Sequence, residues 1–316
     1  MTLDTSENGR DGVAGLIVRR ATADDAAACH DVLWESVTDL GRRQATPLEG
    51  SVKDWWRSGE SVHRHLAERA AEWWLAEDPG SRRVVGYARS IERDGLVELT
   101  EFFVRPGFQS RGLGRDLLER AFPQDHGQNR GRIRSIIATA DVRALARYYR
   151  AGTVARFPFF TLGAKPSSGE IDPRLEPVAL ARGSAAIAAV RDIERKVLGF
   201  ARGGAEIDWL LGDREGWLYR NEGAMVGFAF VGKAGTGPLA ALDPAHLPAV
   251  LAHVESRARA QGLDHVEFQV PGPNETAIRH LLGRGYRLDS WINFLMSDRP
   301  FGQFDRFIGF GPPIFL

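Results

Sequence analysis

The stretch Glu98-Leu-Thr-Glu-Phe-Phe-Val-Arg-Pro-Gly-Phe-Gln-Ser-Arg-Gly-Leu-Gly-Arg115, followed by Asp116-Leu-Leu-Glu119, decides how this chain folds. A β-rich apolar run ends at Val104, and Pro106 removes a backbone donor. Glycines at 112 and 114 then lead into a Leu-rich helix. Amides at such a helix start point outward and carry the positive end of the helix dipole. Glycines let the main chain approach a diphosphate with no Cβ in the way. Each charge-assisted bond there contributes about 1.5–3 kcal/mol, so four or five would anchor a nucleotide. Arg111 and Arg115 add forked donors. Gly-x-Gly alone is equally the mark of an ordinary strand-to-helix turn; the whole run carries the reading.

Working outward, Leu16-Ile-Val18 reads as a short strand, and Thr22-Ala-Asp24-Asp25 as the capped start of a helix to about Leu40. A Pro/Gly-punctuated loop reaches Gly59, after which Val62, Leu66 and Ala70 recur at helical spacing. Strands follow at Trp73 to Glu77, Val84 to Arg93 and Leu96 to Val104, with hairpin signals at Asp78-Pro-Gly-Ser81 and Arg93-Asp-Gly95. A helix from Gly112 to about Phe122, strand Ile133 to Thr139, helix Val142 to Ala151 and strand Phe157 to Leu162 complete one α/β plan. Ala164 to Pro173 has linker composition. Much of the same order then recurs. A helix spans Ser184 to Leu198, and a hairpin Trp217 to Phe230. Pro244 to Gln261 is a helix, Val266 to Val270 a strand, Glu275 to Arg284 a helix and Tyr286 to Met296 a strand. The spacing predicts a flexible tail at 1–15, a first domain at 16–163, a linker at 164–177 and a second domain at 178–316. Phe301, Phe304, Phe307, Phe310 and Phe315 make the final residues too apolar to stay unpacked.

Composition narrows the function. The 316 residues are 43% hydrophobic and 26% charged, with Lys+Arg 41 balanced by Asp+Glu 41, so no net field favours nucleic acid or anionic lipid. Cys29 is the single cysteine, which excludes a disulfide framework and a cysteine-based zinc site. Residues 1–15 lack an apolar signal core, and no run approaches the roughly 20 apolar residues of a spanning helix. A cytoplasmic setting without membrane, nucleic acid or metal is expected. The preference for arginine over lysine fits a GC-rich bacterial genome.

The run strand, Val-x-Pro, Gln109-x-x-Gly112-x-Gly114 and Leu-rich helix resembles the acetyl-CoA signature of the GNAT N-acetyltransferases. The resemblance is strongest from Leu96 to Gly152. It implies two tandem GNAT-type α/β domains, each a mixed, mostly antiparallel sheet flanked by helices. It also implies that Phe102, Phe103 and Val104 pair by backbone with the pantetheine arm of acetyl-CoA. Gln109, Ser110, Arg111, Gly112, Leu113, Gly114 and Arg115 would wrap its pyrophosphate.

A second family feature is a helix with Asn-x-x-Ala-x-x-x-Tyr-x-x-x-Gly-Phe. Asp141, Ala144, Tyr148 and Gly152 occupy those places, with Thr153 where the Phe would stand. The resemblance thus puts Tyr148 where the family's hydroxyl protonates the departing thiolate, and a phenol suits that task. A merely packed core or rim tyrosine is the alternative. Asp141 for Asn leaves that residue's usual contacts open. Proton removal from the amine calls for a carboxylate; Glu98 and Glu101 lie on the strand, facing opposite sides. Glu101 is favoured as base, with a solvated strand-face glutamate as the alternative. An oxyanion donor is expected near the Phe103 N–H.

Other candidates carry less. His63 and His65 lie on opposite faces of their helix and read as solvated or acceptor-loop residues. Trp55 and Trp56 fall in the segment that lines the acceptor site in this family, or simply pack. Arg143, Arg147 and Arg150 would meet a 3′-phosphate or form a solvated face. In the second half, Asp243-Pro-Ala-His246 and Pro248 stand where the glycine loop would be, and Leu281 replaces the tyrosine. That copy is expected to lack cofactor and acid. Mycothiol synthase is similar in tandem layout, but there the C-terminal copy holds the active loop. Transfer of acetyl to a primary amine in a ternary complex is the expected activity, and a non-catalytic acyl-CoA sensor the alternative.

Overall fold

The computed structural model describes residues 15–109, 112–124, 131–168, 172–314 and 316. The chain divides into two compact units, one holding the residues up to Glu92, Val97–Ile136 and Asp141–Thr153, the other Arg93–Leu96, Ile137–Ala140 and Val154–Leu316.

The first unit runs β1 (Ile17–Arg20), α1 (Ala26–Arg43), α2 (Val52–Arg69), β2 (Ala70–Asp78), β3 (Arg83–Arg93), β4 (Leu96–Val104), α3 (Leu113–Ala121), β5 (Ile133–Thr139) and α4 (Val142–Arg150). Its strands lie in the order β1-β2-β3-β4-β5, and the β1/β2 and β2/β3 pairings are antiparallel. Asp94 and Gly95 take φ of 47° and 90°, the left-handed pair a tight two-residue hairpin needs. Helix α2 starts well before the expected point. Ser51 caps it by accepting the Asp54 N–H at 3.3 Å, so the Pro/Gly loop ends at Gly50 rather than Gly59. Gly59 sits inside the helix, where a Cβ would stand 3.1 Å from His63 Nε2.

Strand β4 divides its side chains between the two faces. Phe103 packs on a core of Cys29, Val32, Trp73, Leu75, Val84 and Tyr87, the side of α1. Glu101 meets Arg89 and the α2 residue His63. Phe102 packs under Gly114 and edge-on to Tyr148, the side of α3 and α4.

The second unit contains β6 (Val154–Ala164), β7 (Glu176–Leu180), α5 (Ile187–Leu198), α6 (Gly204–Leu210), β8 (Glu215–Asn221), β9 (Ala224–Gly232), β10 (Gly235–Ala241), α7 (Leu247–Ala260), β11 (Val266–Pro271), α8 (Glu275–Gly283), β12 (Arg287–Ser297) and β13 (Phe307–Ile308). Strand β6 lies between β12 and β11 and is antiparallel to both, which is why it groups with this unit although the sequence ran the first domain to 163. A five-stranded sheet follows the order β13-β10-β9-β8-β7. Strands β7 and β10 and helix α6 had no clear sequence signal. Gly235-Thr-Gly-Pro238 reads as a turn, and α6 has only seven residues.

The apolar tail is packed at the described positions, and Phe315 lies outside the described residues. Phe304 is 4% exposed, and Phe307 and Ile308 are fully buried. Strand β13 pairs through Phe307 and Ile308 with Ala240 and Leu239 of β10. Next to it, the Gly309 N–H donates to Gln269 O of β11 at 2.9 Å. The tail therefore fills the space between β10 and β11.

Candidate active site

Helix α3 begins at Gly112, whose φ of 90° is the left-handed conformation that favours glycine. Its N-cap has no side chain to accept an amide, so the first N–H groups of the helix keep their donor capacity. The carbonyl of Gly112 accepts only from later amides, Arg115 N at 2.9 Å and Asp116 N at 3.3 Å. Leu113 is buried and anchors the turn, whereas the Arg115 side chain is 78% exposed. Gly114 is closely packed: a Cβ there would stand 3.0 Å from the Phe102 ring and 3.4 Å from the Arg147 guanidinium. Arg147 of α4 thus lies beside the start of α3, while Arg143 and Arg150 are exposed. An electropositive, glycine-lined helix start with a guanidinium alongside fits a diphosphate. Ser110 and Arg111 lie outside the described residues.

The β4 end differs in detail from the expectation. Gln109 folds back, its amide donating to Val104 O at 3.0 Å, and Ser36 Oγ also donates to that carbonyl at 3.4 Å. The Val104 carbonyl is therefore already paired, and Gln109 braces the loop. Phe102 and Phe103, both half-buried, turn to opposite faces.

Tyr148 lies on the inner face of α4, 7% exposed, with its ring 6.1 Å from that of Phe102. Burial first, then the charge of Asp141, pushes its phenol well up against a smaller opposing effect of Arg147. It stays protonated throughout the physiological range, a donor rather than a base. Asp141 caps α4 by accepting the Arg143 N–H at 2.9 Å and pairs with Arg43 of α1 at 2.9 Å. Burial raises its carboxyl pKa, but Arg43 and the capping amide outweigh that and hold it low. Ala144 lies half-buried one turn on. Thr153 is 1% exposed and donates from Oγ1 to Tyr148 O at 2.9 Å, so the hydroxyl stitches the helix end where the family's Phe would pack.

Glu101 departs most from expectation. Its side chain is fully buried and paired with the buried Arg89 guanidinium, which stacks 4.7 Å over Trp73. Burial alone would raise its pKa, but Arg89 and then His63 outweigh it and bring it down to about 2. Such a carboxylate is a fixed anion and holds a proton too weakly to serve alone as base. Glu98 is also buried, so neither strand glutamate is a solvated face residue.

The histidines correct the sequence reading as well: His63 and His65 are 7% and 5% exposed. His63 Nδ1 stands 3.4 Å from Glu101 Oε1, and its Nε2 is 3.1 Å from Nδ1 of His30. His30 Nε2 reaches Val52 O at 3.2 Å, and Trp56 stacks flat on His63 at 5.7 Å. Trp55 meets Trp34 edge to face. Sequence reading missed His30 and Arg89, since pairing across four elements leaves no local spacing to find.

The counterpart region of the second unit is closed. The Asp243 carboxylate accepts the Ala245 N–H at 2.9 Å, Pro244 and Pro248 remove further donors, and β13 fills the gap between β10 and β11. Leu281, at the tyrosine's place, is wholly buried. These residues do not fit a CoA diphosphate. Among the described residues no group of three or more His, Cys, Asp or Glu is placed to hold a metal, and no helix is long and apolar enough to cross a membrane.

Residues 30–153 match the model of the acetyltransferase (GNAT) family. No curated protein matches the chain. Among solved structures, a protein from Pyrococcus horikoshii provisionally named an acetyltransferase is 17% identical, with a TM-score of 0.67 over 95% of this chain and 96% of that one. A GCN5-related N-acetyltransferase from Sphaerobacter thermophilus is 16% identical, with a TM-score of 0.62 over 91% and 97% of the two chains. A tandem GNAT protein from the clavulanic acid biosynthesis pathway is 14% identical, with a TM-score of 0.55 over 90% and 99%. At such identities the likeness is one of fold. Residues 30–153 thus match the GNAT acetyltransferase family model, in a chain that shares the fold of GNAT structures, a tandem one among them.

Proposed function

We propose that the chain transfers an acetyl group from acetyl-CoA to a primary amine by direct attack in a ternary complex, and that the first unit alone carries the reaction. The carrying observation is that the α3 start is uncapped, glycine-led and flanked by Arg147, while its counterpart before α7 is closed by Asp243 and two prolines. The α3 amides from Gly112 onward, with Ser110, Arg111 and Arg115, would hold the diphosphate. Phe102 and Phe103 would flank the pantetheine arm on its two sides.

Tyr148, whose phenol stays protonated, would donate a hydrogen bond to the leaving sulfur. Its raised pKa makes full transfer uphill until the thiol leaves for water. On the acceptor side the nitrogen must attack as a neutral amine. An alkylammonium of pKa about 10.4 is neutral in about one molecule in 2,500 at pH 7, a penalty of about 4.6 kcal/mol. Positioning lowers the barrier further, with effective molarities of about 10⁵ M for well-oriented reactants.

A panel of amino acids, polyamines, aminoglycosides and peptide N-termini, read by release of free thiol, tests the reading. Tyr148→Phe should lower turnover about 100-fold on any accepted amine, with KM for acetyl-CoA unchanged. Unchanged turnover removes Tyr148 from the mechanism. Tight acetyl-CoA binding with no thiol release from any amine would make the chain an acyl-CoA sensor instead.

A further inference from the structure

The buried contacts of the first unit form a chain: Val52 O, His30 Nε2, His30 Nδ1, His63 Nε2, His63 Nδ1, Glu101 Oε1. Both ends are acceptors, a carbonyl and a permanently charged carboxylate. Three gaps therefore need three N–H protons, and two neutral imidazoles carry only two. With both rings neutral, one gap always faces acceptor to acceptor. If His30 donates to Val52 and His63 donates to His30, the empty gap lies between His63 Nδ1 and Glu101. Oε1 of Glu101 is buried and faces His63 Nδ1 at 3.4 Å, longer than an ordinary N–H···O bond. One added proton on the two rings completes every bond in the chain.

We infer that His30 and His63 act as a single proton-accepting pair for the acyl transfer, with Glu101 and Arg89 as its positioning residues. The inference rests on the amine-acylation reading above. In the reaction the N–C bond forms and the C–S bond breaks, and the ammonium nitrogen gives up two protons. One ends on the CoA thiol by way of Tyr148; the other goes to His63, the member of the pair next to Glu101, and later leaves to water. His63 keeps 9% side-chain exposure, against full burial of Glu101. Trp56, half-buried and stacked on its ring, shields it from bulk solvent.

The charged groups facing the pair are Asp31 from α1, Arg89 from β3, whose guanidinium donates to His63 O at 3.4 Å, and Glu101 from β4. Burial, and then the neighbouring His63, hold His30 below its ordinary value. Glu101 supplies the opposing pull that makes one added proton favourable and a second one not.

Two measurements on the full chain decide the matter. Side-chain ¹⁵N NMR across pH 4–8 should show the His30 and His63 signals moving together in one one-proton step, shifted to lower pH in Glu101→Gln. Independent titration of the two rings, or no titration of either, overturns the pair. The pH profile of kcat/KM should plateau in the native chain from near neutral pH up to the amine's own pKa. In His63→Gln it should climb tenfold per pH unit instead, about 1,000-fold low at pH 7 and converging with the native chain near pH 10. A loss equal at every pH assigns His63 a structural role only and refutes the inference. Were no amine acetylated at all, the function proposed above would fail, and the NMR titration would still decide the pair.

Discussion

Glu101→Gln tests the electrostatic reading of the first unit most sharply. The substitution leaves the Arg89 guanidinium, 2% exposed and lying over Trp73, without its counter-charge. Removing one partner of a buried pair costs about 3–5 kcal/mol, because the surviving charge stays desolvated. The native carboxyl has its pKa depressed from 4.5 to about 2. Its contribution is thus complete above the unfolded-state value and is lost as pH falls through the folded one. At 1.36 kcal/mol per unit, the native chain sheds about 2.5 kcal/mol on this account between pH 7 and pH 2.5, and the variant sheds none of it. The stability gap between the two should narrow by that amount. Urea unfolding followed by fluorescence of Trp34, Trp55, Trp56, Trp73 and Trp74 reads the first unit at each pH. The double variant Arg89→Met/Glu101→Gln should recover most of the loss, since no charge is then stranded. A gap below about 1 kcal/mol at pH 7, or one that does not change with pH, would refute the reasoning.

Two further outcomes are expected. Gly114→Val places a branched side chain against the Phe102 ring and the Arg147 guanidinium, 3.0 and 3.4 Å from the new Cβ, so acetyl-CoA affinity should fall at least 100-fold with little change in melting temperature; equilibrium dialysis with labelled cofactor reads it. Ending the chain at Arg299 removes β13 and strips the β10 and β11 edges of Phe307, Ile308 and Gly309, so the second unit should melt earlier and bind a hydrophobic dye, whereas retained melting would show that the tail is not structural.

Much of the first unit was legible because its signals are local. The Asp94-Gly95 turn, the alternation of β4 and the glycine-led start of α3 are all written in short windows of sequence, and the structure places each of them within a few residues. The start of α2 was misread because Ser51 overrides the Pro/Gly composition upstream, and the helix carries Gly59 beside His63 rather than as a break. The site was legible on the cofactor side, where Gly112, Gly114 and Tyr148 belong to contiguous motifs. It was obscure on the other face of β4. There Glu101 takes its character from Arg89 one strand away and from two histidines on separate helices, partners that no spacing within one element reveals. Likewise the two-residue strand β13 is visible only as apolar composition, since its pairing with β10 spans some 70 residues of chain.

Calorimetric titration of the full chain with acetyl-CoA reaches the core of this account. It predicts one equivalent bound per chain, abolished by Gly114→Val. Two equivalents, or one that survives unchanged in that variant, would put the diphosphate somewhere other than the start of α3.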